Sequence, residues 1–392
     1  MYLPFSAAEL IKRCAAAGLL LCFGVAFATP ALSENQDPLA KVTALKGMLL
    51  QSNDLQTKNL TRHLTAWRYV SIHQRIQQQN QALSSLLDPV NTADLADGED
   101  TNLETVNLGT IEKKPRISLF AVASNAEGDK DATGLEPAYE TEGDHYTLGA
   151  DFRFNEEWLA GIALGNSDSD LDFISQGQPD HDRINAKTDN VSIFASWYRK
   201  DFAVDMSMQF NDAELTSKRT LPAGVAYGTT NSQLIGVHLS GTFDFSYNEL
   251  SYGPLAALDL LDGRIDAYTE QSNAVGYAQI DKQDVRSAIL SMGAQAAYPK
   301  SFTWGAIVPY VKGICRYQIE NDAHRITGQT VASPGSSFLI ESDKPDTTWF
   351  EFSTGITALL NGGTSLYLSY EAIAEYRATQ LDNLRLGLNI TF

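Results

Sequence analysis

From Arg116 to Phe392, apolar and polar residues alternate with a period of two. In "YTLGADFRF", Tyr146, Leu148, Ala150, Phe152 and Phe154 share one face, and Thr147, Gly149, Asp151 and Arg153 share the other. "FAVDMSMQF" sets Phe202, Val204, Met206, Met208 and Phe210 against Ala203, Asp205, Ser207 and Gln209, and "IGVHLSGTFDF" and "FEFSTGITALL" behave likewise. Successive side chains of a strand point to opposite sides, so each segment has one apolar and one polar face. The pattern runs through "LRLGLNITF" to the last residue, where chain ends usually fray.

The connections alternate as well. Tight links fall at 155–157, 199–201, 246–249, 299–302 and 361–363. Between them lie long polar segments at about 125–144, 174–188, 217–231, 262–283 and 318–346, with a shorter one at 375–382. A sandwich spreads its loop lengths, whereas a transmembrane β-barrel pairs short periplasmic turns with longer external loops. The expected fold class is therefore all-β: an antiparallel barrel of about twelve strands, both ends on the periplasmic side. Trp158, Trp197, Tyr198, Tyr298, Trp304 and Trp349 fall near strand ends, as an interfacial girdle requires. The last strand must pair with the first, because an open edge in hydrocarbon leaves backbone groups unsatisfied.

Residues 34 to about 115 have a different rhythm. Leu60, Leu64 and Trp67 are spaced by four and three, and Ile72, Ile76, Leu83 and Leu87 continue the stripe, which predicts helix. Pro89 ends it, and "NTADLADGEDTN" reads as a linker. The stripe breaks between Leu49 and Leu60, which argues against a long coiled coil. Before this lies "CAAAGLLLCFGVAFA", behind Lys12 and Arg13, with the form of a signal peptide. Cleavage fits after Ala28 or Ser33, and Pro30 favours Ser33. The expected division is a signal peptide at 1–33, a helical passenger-like segment at 34–95, a linker at 96–115 that could lie in the pore, and a barrel at 116–392.

Charge narrows the partners. With 29 Lys+Arg against 48 Asp+Glu the net charge is −19, which repels nucleic acid. No run of twenty apolar residues lies beyond the N-terminus, so spanning by helices is not expected.

The barrel region resembles a known family. "GRIDAYTEQSNA", "VRSAILSMGAQAAYP", "IVPYVKGICRY" and "SLYLSYEAIAEYRATQLDNLRLGLNITF", in this order, are similar to the C-terminal half of the autotransporter β-domain. "HYTLGADFRFNEEWLAGIALGNSDSDLDF" and "NVSIFASWYRKDFAVDMSMQFND" resemble its early strands. The resemblance implies a twelve-stranded translocator in the outer membrane of a Gram-negative bacterium, with a passenger passing through the pore and a linker helix remaining inside. It also implies contact with outer-membrane lipid and lipopolysaccharide, delivery by periplasmic chaperones and barrel-assembly machinery, a monomeric state and no cofactor. The terminal Phe392 resembles the assembly signal of such barrels. The departures are a short helical passenger, a linker "TVNLGTIEKKP" with few strong helix formers, and no Asn-Asn pair before the barrel.

Little in the chain suggests covalent chemistry. "DKDATGLEPAYE" places Asp129, Asp131, Thr133, Gly134 and Glu140 at calcium-loop positions. Thr133 stands where Asp or Asn is usual, Pro137 intrudes, and strands flank the segment, so a solvated loop is the competing reading. Asp168, Asp170 and Asp172 share one strand face, either as a solvated surface or as a divalent-cation contact. No G-x-S-x-G occurs, and a hydrolase is not expected. Alternation assigns Asp151, Arg153, Asp205, Gln209, Glu351 and Arg385 to the lumen, where they either hydrate the interior or bind a helix. Alternative functions are a passive or plugged pore with periplasmic helices, and an adhesin acting through loop 318–346.

Overall fold

The computed structural model describes residues 38–87, 116–174, 182–247, 249–320, 324–331, 337–344, 346–360, 363–376 and 379–392, with helix side chains as far as Tyr69. The expected signal peptide and the 96–115 linker lie outside the described residues.

Twelve long strands form the wall. The first six are β1 (Ile117–Lys130), β2 (Tyr139–Arg153), β3 (Trp158–Phe173), β4 (Arg183–Arg199), β5 (Phe202–Leu221) and β6 (Gly224–Phe243). The second six are β7 (Leu250–Ile265), β8 (Gln283–Ala297), β9 (Gly305–Gln318), β10 (Thr348–Leu360), β11 (Thr364–Tyr376) and β12 (Thr379–Thr391). Each pairs antiparallel with its neighbours in sequence, and β12 pairs with β1 from Ser118↔Thr391 to Lys130↔Thr379. The barrel is closed, so no edge faces hydrocarbon. At 13 to 20 residues, each strand exceeds the roughly 9–11 needed to cross a bilayer.

The apolar faces of the strands point outward. Leu148, Ile162, Leu164, Ile193, Leu239 and Leu386 are all exposed, which is stable only against lipid. Near the short turns the belt ends in aromatics in contact: Trp158 with Trp197, Trp197 with Phe202, Phe202 with Phe243, and Phe302 stacked on Trp304. Two aromatics assigned to the girdle belong elsewhere. Tyr198 and Trp349 are buried on the inner face, because their positions in β4 and β10 share parity with lumen residues rather than with lipid-facing ones.

Three segments expected as loops are largely strand, among them 375–382, which β11 enters as far as Tyr376 and β12 from Thr379. Strands β5 and β6 stay paired to Leu221↔Gly224, so 217–231 is a tall hairpin, and β1 and β2 pair to Lys130↔Tyr139 within 125–144. Above the apolar belt the outward faces turn polar, as at Glu214, Thr216 and Lys218, while Leu215, Leu221 and Ala226 are buried on the inward face, so the lipid-type alternation ends although the hydrogen-bond ladder continues. A separate four-stranded sheet, formed by Tyr268–Thr269, Ala278–Ile280, Arg325–Thr330 and Ser337–Glu341, stands at this end. At the opposite end the turns are tight, and Gly363 takes a φ of 88°, a left-handed conformation that glycine adopts without steric cost.

The lumen holds a 3₁₀ turn, Pro38–Thr43, and the first part, as far as Tyr69, of a 44-residue helix α1, Ala44–Leu87. The helix passes unbroken through residues 50–59, where the apolar stripe fails. It does so because the surface it faces there is itself polar.

Candidate functional site: a helix held in the barrel lumen

At its start the helix is buried in apolar company. Ala40, Val42, Leu45 and Leu49 pack with Ile280, Ile326 and Ile340 of the small sheet and with Leu171 and Phe173 of β3. The small sheet thus lies over the loop end of the lumen, and Lys41 is ion-paired with Asp182 there. Loop 318–346 supplies two of the four lid strands.

Deeper in, polar helix residues meet polar wall residues level by level. Ser52 Oγ lies 2.9 Å from Ser167 Oγ. Asn211 donates to Asn53 at 3.1 Å, Thr147 donates to Gln56 at 2.7 Å, and Gln209 donates to Thr57 at 2.6 Å. Asn59 donates to Thr147 at 3.1 Å and accepts from Arg385 Nε at 2.7 Å. Two glycines of the wall make room for this layer. A Cβ on Gly236 would stand 2.4 Å from Asn53 Oδ1, and one on Gly165 would stand 2.6 Å from Gln56 Oε1.

Charged pairs come next. Lys58 reaches Glu351 at 3.1 Å and Glu371 at 2.5 Å, while Arg316 of β9 reaches Asp54 at 2.8 Å and Glu351 at 2.7 Å. His63 lies 2.9 Å from Asp151 and stacks on Phe120 at 3.7 Å. Arg68 Nη1 donates to both carboxylate oxygens of Asp205 at 2.8 and 2.6 Å. Leu60, Leu64 and Trp67 pack with Leu159, Phe194 and Tyr367, and Tyr69 packs with Ala306 and Val308. Buried charges persist only when paired and hydrogen-bonded, so this row fixes the helix in both register and rotation.

The helix is off-centre. It lies closest to the wall of β11, β12 and β1 to β5. Beside it lie two cavities, of about 280 Å³ towards the lid and about 90 Å³ towards the turns.

The six lumen candidates can now be placed. Asp151, Asp205, Gln209, Glu351 and Arg385 are buried and bonded to the helix or to side chains that hold it. Arg153 lies 5.3 Å from the Trp67 ring. Alternation in "VKGICRY" would have added Lys312 and Arg316, and the four-residue spacing of Asp54, Lys58 and Arg62 marks a charged helix stripe. The helix stripe gives no sign of its partners if the segment is a passenger, since a passenger has no reason to match the wall, whereas Lys312 and Arg316 follow from the alternation of β9 itself.

The calcium-type segment is a hairpin, not a twelve-residue loop. Asp129 and Glu140 are cross-strand partners, Asp131 is exposed, and Thr133 bonds to Asp343. The carboxylates are therefore spread along a sheet rather than gathered round a point. No group of His, Cys, Asp and Glu placed to hold a metal occurs among the described residues. Asp168, Asp170 and Asp172 face outward above the apolar belt, where Arg183 pairs with Asp170 and Asp172. Phe392 is exposed at the turn end, its carbonyl accepting from Arg116 N at 2.9 Å.

Comparison with known proteins agrees with this architecture. No curated protein matches the chain. Among solved structures it is similar to the translocator domain of the autotransporter NalP from Neisseria meningitidis, at 12% identity and a TM-score of 0.57, covering 83% of this chain and 98% of that one. It is also similar to the β-domain of the Bordetella autotransporter BrkA (14%, 0.51, 71% and 100%) and to the transport unit of AIDA-I from Escherichia coli (15%, 0.51, 72% and 92%). The family model for the autotransporter β-domain matches residues 119–371. The chain belongs to the autotransporter β-domain family, and its barrel is of the outer-membrane translocator type.

Proposed function

We propose that this protein is a self-plugged translocator: its barrel carries its own N-terminal segment into the pore and retains it there as a seal. The observation that carries this reading is the match between α1 and the lumen wall, from Lys41–Asp182 at the loop end to Arg68–Asp205 near the turns. The helix begins under the lid and runs towards the turns, so Pro38 stands at the loop end, the external side in outer-membrane barrels. The loop 318–346 serves as a lid strap in this reading, rather than as an adhesive arm. The work is assembly and sealing, without covalent chemistry. Export by the signal peptide, contact with lipopolysaccharide and recognition of Phe392 by assembly machinery belong to the same proposal.

Two measurements test it. An epitope tag placed after Gln36 is expected to be labelled by antibody on intact cells; labelling only after the outer membrane is opened puts the segment inside and sinks the proposal. In planar bilayers the whole protein is expected to conduct weakly. Deletion of residues 38–69, with heat-modifiable gel mobility showing a folded barrel, is expected to raise conductance several-fold. A second reading, a narrow resident pore, is favoured by the cavities beside the helix. It predicts steady current in the undeleted protein.

A further inference from the structure

The carboxylates of the lumen are engaged by a few of its cations. Arg316 takes Asp54, Asp259 and Glu351, and Lys58 takes Asp54, Glu351 and Glu371. Three other cations, Arg62 from the helix, Lys312 from β9 and Arg385 from β12, line the same cavity of about 90 Å³, whose carboxylates are those already held by Arg316 and Lys58, with Asp205 held by Arg68. Among the described residues none of the three has a carboxylate within ion-pair distance.

Arg62 and Arg385 are 6% and 4% exposed, yet Nε and Nη1 of Arg62 and Nη2 of Arg385 have no acceptor. Their other contacts are to neutral groups. Arg62 Nη2 donates to Thr357 Oγ1 at 2.6 Å, and the guanidinium stands 4.1 Å and 4.8 Å from the rings of Tyr310 and Tyr367. Arg385 Nε donates to Asn59. Leaving N–H groups of a buried cation unpaired is costly. A guanidinium presents its donors in a planar fork that fits the oxygens of a small oxyanion.

We propose that Arg62, Lys312 and Arg385 form an internal site for a small oxyanion of the phosphate or sulfate class, wedged between the helix and the wall. The inference rests on the plug reading, since Arg62 reaches the cavity only while the helix is seated. The anion is then a bond between plug and barrel, and its binding stabilises the plugged state.

The test uses the full chain refolded in detergent without lipopolysaccharide, which removes lipid phosphate as the source, and radiolabelled inorganic phosphate in equilibrium dialysis. One phosphate per chain is expected, displaced by sulfate. Lys312→Gln is expected to weaken binding about tenfold, the scale of one charge-assisted contact, and Arg62→Gln with Arg385→Gln to abolish it. Heat-modifiable mobility shows whether each variant is folded. Should the double variant fail to fold, Lys312→Gln decides alone. No saturable binding to the unaltered protein, or undiminished binding to folded Lys312→Gln, overturns the site. Conductance of the helix-deleted protein judges the plug separately, so a failure of one reading is not mistaken for a failure of the other.

Discussion

A single strand shows how sharply neighbouring residues are divided. In β12, Leu386 is 50% exposed to the lipid side, whereas Asn389 is 2% exposed on the lumen side. A cation at the lipid midplane costs about 2–4 kcal/mol, so Leu386→Arg should lower the folded fraction in urea titrations in bilayers, and Asn389→Asp should change it little. Equal tolerance at the two positions would refute the face assignment. The pair of Arg68 and Asp205 offers a second residue-scale test. Asp205→Ala leaves a buried guanidinium without its carboxylate, an expected loss of about 3–5 kcal/mol. The Arg68→Ala/Asp205→Ala double variant should lose less than the sum of the two single variants. The lipid-facing and lumen-facing sides were legible from alternation alone, because a period of two leaves each residue one of two directions.

The helix was only half legible. Its apolar residues announced a helix, but Asn53, Gln56 and Asn59 gave no hint of their partners. Their partners are Asn211, Thr147 and Arg385, distant in sequence. A polar helix usually faces water, and only the closed barrel turns that face into an interior one. The tall hairpins of β5 with β6 and β1 with β2 were hidden for a related reason, since above the belt the outward face turns polar and the apolar residues that remain, such as Leu215 and Leu221, lie inward. Gly236 joins both elements in one test. Gly236→Leu should push Asn53 and the helix aside while leaving the outward face of β6 intact, so the folded barrel should conduct more in planar bilayers. An unchanged conductance would mean that the helix tolerates the crowding.

At the scale of the whole molecule, lid, plug and barrel share contacts. His324 stands at the lid with its Nε2 2.9 Å from Gln283 Oε1. Burial, and then the neighbouring Lys46, push its imidazole down to about 4. An unfolded lid therefore binds more protons than the closed one between about pH 6.5 and pH 4, so this contribution to closure is fully present at neutral pH and is lost as pH falls through that window. Protease sensitivity of residues 324–341 should rise on acidification to pH 4.5, and His324→Gln should flatten that dependence. An identical rise in the variant would place the acid response elsewhere.

The seam between β1 and β12 has a kinetic consequence. Ser118 and Thr391, which meet there, are 273 positions apart. Contacts so remote form slowly, because the entropy of closing the intervening loop is lost before the contact repays it. Every other pairing in the wall can zip from a neighbouring strand, but this one waits until the last strand has arrived. The rate of barrel assembly should therefore follow the meeting of the two outermost strands, and until they meet the lumen stays open at its side as well as at its ends.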